Sequence, residues 1–343
     1  MHVPRGREPG SLRVKLVAAA VAAGCVVAGG IAVIHLNRAG PVAAATPVAT
    51  ASPGTPAPVS RSLAPPSPRP AATAARHPSA PAATHPPVPS APSPAVTTSK
   101  KGVGAWGFSG ASQALADSGV SWYYTWSASP GVSSPPGVQF VPMIWGAADV
   151  NASTLSQVKQ EGDDLLGFNE PDMSGQSNMT PAQALSLWPQ LMATGMTLGS
   201  PAVADDGATP GGWLDQFMTG AAARGYRVNF ITLHWYGSDF APAAAVGQLQ
   251  AYLQAVYARY HLPIWLTEFA LASFGGSPAT PAPRQQAAFV TAATAMLQRL
   301  SYVQRYAWFG LQATPTDGSM GLFRTGAVPT AAGRAFEAAG AAG

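Results

Sequence analysis

The sequence predicts a (β/α)8 TIM barrel over residues 101–343, on three observations. Eight short apolar runs recur through this part of the chain, most of them separated by amphipathic segments. Near-continuous apolar strands alternating with helices indicate a parallel sheet covered on its faces. The third observation is positional: polar and aromatic residues gather at the C-terminal ends of the runs, the end at which a parallel barrel carries its site.

The runs, in order, are GVGAWGF (102–108), SWYYTW (121–126), QFVPMIW (139–145), DLLGFNE (164–170), MTLGSPA (196–202), VNFITLHWY (228–236), PIWLTEFA (263–270) and QRYAWFG (304–310). Helical periodicity falls at 110–118, 151–161, 181–193, 212–224, 243–260, 284–300 and 329–339. One crossover lacks it: SASPGVSSPPGV, after the second run, is too rich in proline for a helix and reads as a loop. A doubly wound sheet is the alternative architecture. Its dinucleotide-binding form has no support, because no Gly-x-Gly-x-x-Gly turn follows the first run.

Ahead of the barrel, the composition changes. Residues 1–37 hold a basic start and an uncharged stretch, LVAAAVAAGCVVAGGIAVI (16–34). As a helix this stretch nearly spans the ~30 Å hydrocarbon core of a bilayer. It reads as a signal anchor with its basic end in the cytoplasm, or as a signal peptide cut after VAAA (42–45). AAGC (22–25) is a poorer lipoprotein match, since the apolar run continues past Cys25. Residues 38–100 are Pro, Ala, Ser and Thr, too poor in large apolar side chains to repay the entropy of folding. They read as a disordered, extended stalk. Either N-terminal reading sends the downstream domain out of the cytoplasm, secreted or tethered to the membrane by the N-terminal helix alone.

Charge is divided the same way. No acidic residue lies between Glu8 and Asp117, and from Gly102 onward 9 Lys+Arg face 14 Asp+Glu. The pI of 9.3 therefore belongs to the N-terminal hundred residues, and the barrel is mildly acidic. That removes the argument for a nucleic-acid partner. The single cysteine, Cys25, excludes an intrachain disulfide and a cysteine metal site, and the histidines are not at ligand spacing. The sequence calls for no metal and no organic cofactor.

LLGFNEPD (165–172) poses the chemical question. An apolar run ends in Asn169, Glu170 and a proline. Burying a lone carboxylate is costly, so Glu170 has a partner or opens into a site. Glu268 ends the seventh run, and fourth and seventh strands face one another across an eight-stranded barrel. Paired carboxyls suit glycoside hydrolysis: one attacks the anomeric carbon, and the other protonates the leaving oxygen and then activates water. Asn169 stands where it can hydrogen-bond a sugar hydroxyl. His234 and Tyr236 share a face of the sixth run. Trp106, Tyr124, Trp126, Trp145 and Trp308 sit at strand ends, where flat rings can hold sugars, whereas Trp122, Trp188, Trp213 and Trp265 read as packing residues. Asp163 and Asp164 fall at the opposite end and read as structural.

GFNEPD, LHWYG, WLTEFA and YAWFG on the fourth, sixth, seventh and eighth runs resemble the clan A retaining glycosidases. With WYYTW and FVPMIWG they are similar to glycoside hydrolase family 128, whose members act on β-1,3-glucans. The resemblance spans about 102–340. It implies Glu170 as acid/base, Glu268 as nucleophile and Trp308 lining the point of cleavage. Two functions follow: an exported endo-β-1,3-glucanase, or a non-catalytic glucan-binding module that keeps the barrel as a scaffold. The intact carboxylate pair favours the enzyme, and a different β-glucan linkage stays open.

Overall fold

The first and last apolar runs form the middle of a parallel sheet. In a computed structural model, which describes residues 100–340 except 275, 276, 278 and 317, β1 (Lys101–Gly104) pairs with β2 (Trp122–Tyr124) and with β8 (Val303–Phe309). The sheet continues through β3 (Gln139–Phe140) on one side. On the other it runs through β7 (Ile264–Leu271) to β6 (Ile231–Gly237), giving the order β3-β2-β1-β8-β7-β6. The apolar stretch 16–34 and the Pro/Ala-rich stalk lie outside the described residues, and with them the anchor, signal and linker expectations.

β4 (Asp164–Leu165) and β5 (Thr197–Leu198) make a separate parallel pair. Single parallel bridges stand on each side of it: Met143 to Leu166 towards β3, and Gly199 to Phe230 and Val203 to Leu233 towards β6. Ladder pairing is therefore unbroken over six strands and interrupted around β4 and β5. Prolines account for part of this, because Pro142 and Pro201 have no N–H to donate. Close approach accounts for more: a Cβ on Gly167 would lie 2.8 Å from the Ser200 carbonyl oxygen. β9 (Phe323–Arg324) and β10 (Val328–Pro329) form a small antiparallel hairpin.

The helices are α1 (Ala111–Asp117), α2 (Ala152–Val158), α3 (Pro181–Met192), α4 (Trp213–Ala223), α5 (Pro242–Tyr260), α6 (Pro283–Arg299) and α7 (Ala331–Ala338). Proline opens α3, α5 and α6, at the position where a missing N–H costs nothing. The Thr180 side chain caps α3 reciprocally with Gln183, and Asn151 caps α2. The proline-rich segment between β2 and β3 holds no helix. None of the described helices is long and apolar enough to cross a membrane.

Alternation along the strands divides the interior. Tyr123, Phe269, Tyr306 and Trp308 turn outward into the core beneath the helices. Trp122, Tyr124, Val141, Met143, Leu166, Phe230, Trp265 and Ala307 pack together on the other face of the strands. Gly102 makes room there: a Cβ on it would lie 2.3 Å from the Trp122 ring. At the N-terminal strand ends, Arg305 lies over Trp265 at 4.2 Å, 3.3 Å from Asp164, and donates to Gln139 at 2.9 Å. Lys100 caps the C-terminus of α6 through the carbonyls of Leu297, Gln298 and Leu300.

Candidate active site

Glu170 reaches the C-terminal face by a strained turn. Its φ is 39°, in the left-handed region that few residues other than glycine adopt. Backbone bonds impose it: Glu170 N–H donates to Ala202 O at 2.7 Å, and Met173 N–H closes onto Glu170 O at 3.0 Å. Such strain persists where surrounding structure over-determines it, and it gathers at functional sites. Trp126, at φ 54°, is the second example and belongs to the same site.

Glu268 comes from β7. It stands opposite His234 on β6, at a register shift between Leu233 and His234. The extra residue is Thr267 on β7, so the bulge re-aims Glu268 towards His234, which keeps the regular alternation of β6. His234 Nδ1 lies 2.8 Å from Glu170 Oε1, and Nε2 lies 3.4 Å from Glu268 Oε1. The second contact has an ion-pair distance without hydrogen-bond alignment, so Nε2 has no hydrogen-bond partner among the described residues. Three donors converge on Glu268: Tyr236 OH at 2.5 Å, Trp126 Nε1 at 2.7 Å and Tyr124 OH at 3.2 Å.

These contacts set the proton affinities. Burial pushes the Glu268 carboxyl up; His234 pulls it down, the Glu170 charge adds to the rise, and the bonds from Tyr236 and Trp126 oppose it. The net direction is upward. For His234, burial favours the neutral ring, but Glu268 and Glu170 outweigh it and raise the pKa. Tyr124 and Tyr236 are pushed well above the usual phenol range, by burial first and then by the Glu268 charge, so both keep the proton that they donate. Asp172, two residues past Glu170, is pushed up to about 6 by burial, against two bonds from backbone N–H groups.

Donor atoms of Glu170, His234 and Glu268 all lie within 4.8 Å of one another. The spacing alone would suit a cation. The surrounding hydrogens do not, because two phenols and an indole already satisfy the Glu268 oxygens and Glu170 faces the imidazole. The donor set fits a site that stores and moves protons.

The other sequence candidates divide. Asn169, 3 % exposed, sits beside Glu170. Trp106 and Trp126 are half-buried with ring centroids 5.7 Å apart, and Trp145 is half-buried against the apolar group on the site's face of the strands. Tyr124 and His234 are fully buried, so they act on the carboxylates from beneath and cannot line a sugar surface. Trp308 is a correction. It is fully buried among Phe269 and Phe289 under the helices, and its Nε1 bonds Met320 O at 2.8 Å. The strand's alternation puts Ala307 and Phe309 on the site's face and Trp308 on the other. Phe309 takes the expected place, with its ring 5.9 Å from Trp106, 5.6 Å from Trp126 and 5.7 Å from Tyr236. Counting by two from Ala307 would have found it in the sequence. Phe274, 5.0 Å from Tyr236, comes from a loop that no periodicity marks.

A parallel sheet with two glutamates converging at its C-terminal strand ends is the arrangement of a glycoside hydrolase. The family model described as "Glycosyl hydrolase catalytic core" matches residues 103–336. Among solved structures, a GH128 (subgroup I) endo-beta-1,3-glucanase from Amycolatopsis mediterranei, in complex with laminaritriose, is 59% identical. That match covers 70% of this chain and 99% of that one, with a TM-score of 0.68. A subgroup II endo-beta-1,3-glucanase from Sorangium cellulosum is 29% identical over 71% of this chain and 100% of that one, TM-score 0.59. The chain belongs to the glycosyl hydrolase catalytic core family and, within it, to glycoside hydrolase family 128. Alkali-sensitive linkage protein 1 of Schizosaccharomyces pombe is 34% identical over 234 residues, 65% of this chain, and this chain spans 40% of that relative's length.

Proposed function

We propose that the protein is an exported, retaining endo-β-1,3-glucanase in which Glu170 is the acid/base and Glu268 the nucleophile. The observation that carries this reading is the separation of the two carboxyls, whose facing oxygens lie within 4.8 Å. Retaining enzymes hold the pair about 5–5.5 Å apart, whereas inverting enzymes leave about 6.5–9.5 Å for a water. The roles follow from the hydrogen bonds. Glu268 accepts on both oxygens from groups that only donate or keep their proton, and these bonds favour the attacking anion against the burial that raises its pKa. Glu170 is the more exposed of the two and is free to protonate the leaving oxygen and then to draw a proton from water.

The eight strands complete one (β/α)8 barrel in this reading. The bridges on either side of β4 and β5, and the pairing of β1 with β8, support it. Support for β-1,3-glucan comes from the Amycolatopsis relative, which has been solved with laminarihexaose in one form carrying a replaced glutamate. Trp106, Trp126 and Phe309 form an aromatic wall beside the carboxylates, which suits a glucan chain more than a single sugar. Export rests on the sequence of residues 1–45.

The test is reducing-sugar release by the full chain from linear β-1,3-, β-1,4- and β-1,6-glucans, with products resolved by length. The expected result is release from the β-1,3-glucan, with internal cleavage products and retained β configuration at the new end. Binding without release, with Glu170→Gln and Glu268→Gln indistinguishable from wild type, would replace the enzyme by a binding module.

A further inference from the structure

We propose that Gln176 is a positioning residue, which holds the Asn169 amide in the orientation that presents its free oxygen to the substrate. The inference rests on the hydrolase reading above. Asn169 is 3 % exposed, and its backbone is fixed on several sides: its N–H donates to Trp145 O at 2.9 Å, Ser177 N–H donates to its carbonyl at 3.3 Å, and it bridges to Ala202. The side chain has one partner. Asn169 Nδ2 donates to Gln176 Oε1 at 3.2 Å, and Oδ1 is buried with no partner among the described residues.

A buried acceptor left unpaired costs about 1–3 kcal/mol. Folding tolerates that cost most readily where a ligand removes it. Asn169 adjoins Glu170, so the hydroxyl within reach of Oδ1 is the one next to the reacting carbon, and its O–H donates to Oδ1. Bonds to that hydroxyl strengthen as the transition state forms. An amide has two unlike edges, however, and a half-turn about its last bond would offer the wrong one. In the structure Gln176 selects one of them, because the edge it presents is its Oε1, which accepts from the NH2 of Asn169. The turn that carries Gln176 is itself tied back, by Gln176 N–H to Met173 O at 3.1 Å and Met179 N–H to Pro171 O at 2.9 Å. Those bonds fix the main chain from which the Gln176 side chain reaches the amide.

The test is a double-mutant cycle on the full chain, with a β-1,3-linked glucohexaose as substrate and wild type, Gln176→Met, Asn169→Ala and the double variant as enzymes. Gln176→Met lowers kcat on the order of tenfold, with KM within about threefold because the bond matters most in the transition state. In the Asn169→Ala background the same substitution has an effect of less than about twofold, because there is no amide left to orient. An undiminished loss in that background, or a rise in KM alone, overturns the proposal while the hydrolase reading stands. A wild type that leaves the hexaose intact sinks the hydrolase reading, and the proposal with it. If Gln176→Met does not fold, Gln176→Thr repeats the cycle. Unfolding of both assigns Gln176 a purely structural role and overturns the proposal.

Discussion

At the N-terminal strand ends, Arg305 faces Asp164 at 3.3 Å and stacks over Trp265, and Lys100 spends its hydrogens on three helix carbonyls. At the C-terminal ends, Glu170, Glu268 and Asp172 crowd around His234, and Glu170 and Trp126 of the site hold left-handed backbone. One end gives these charges a counter-charge or a set of carbonyl acceptors. The other gathers like charges around one imidazole. A group whose protonation is contested can exchange its proton during a reaction, and a fully neutralised one cannot. The difference separates changes that abolish activity from changes that lower stability.

Glu268→Gln has the largest expected effect. It removes the attacking oxygen, so kcat falls by at least about 10³-fold. Calorimetry should show an unchanged or higher Tm, because a buried charge is gone. Next come two neighbours that face opposite ways. Trp308→Ala empties a fully buried core site and lowers stability by about 3–5 kcal/mol in denaturant titrations, with little change in KM of the molecules still folded. Phe309→Ala should do the reverse, raising KM severalfold at a small cost in stability. Equal behaviour of the two would erase the division between core face and site face.

Arg305→Met tests the paired end. It leaves Asp164 without its cation and should lower stability by about 1–3 kcal/mol, a value reduced by partial exposure, without touching kcat/KM. Asp172→Asn sharpens the contrast by pH. Its folded pKa of about 6 lies above the ordinary value of 3.8, so the folded protein holds the extra proton in that window. Stability from this group is present below that window and declines as pH rises through it, by about 1–2 kcal/mol. Asparagine can still accept from Ala204 N–H, so the variant should show a flatter stability curve between pH 4 and 6 and be the more stable above it. Identical curves would place the titration on another group.

Much of this was legible in the sequence, for physical reasons. Helix periods and caps are local, and the expected segments match α1 to α7 to within two residues or so at most ends. Glu170 and Glu268 stood out because a carboxylate ending an apolar strand needs a reason. Three features were hidden. The run at 164–170 gives a ladder of only Asp164–Leu165, because neighbouring prolines and the tight contact at Gly167 are matters of tertiary packing. Trp308 and Phe309 exchanged roles because position at a strand end does not set which face a side chain takes. The Gln176 contact with Asn169 spans a turn whose course depends on Glu170's left-handed backbone, which no propensity predicts.

The most direct test of the carboxylate pair is mass spectrometry of the full chain after reaction with a 2-deoxy-2-fluoro β-1,3-linked gluco-oligosaccharide carrying an activated leaving group. The account predicts a covalent glycosyl adduct on the peptide containing Glu268, absent from Glu268→Gln. An adduct on Glu170, or turnover with inverted configuration and no adduct, would contradict it.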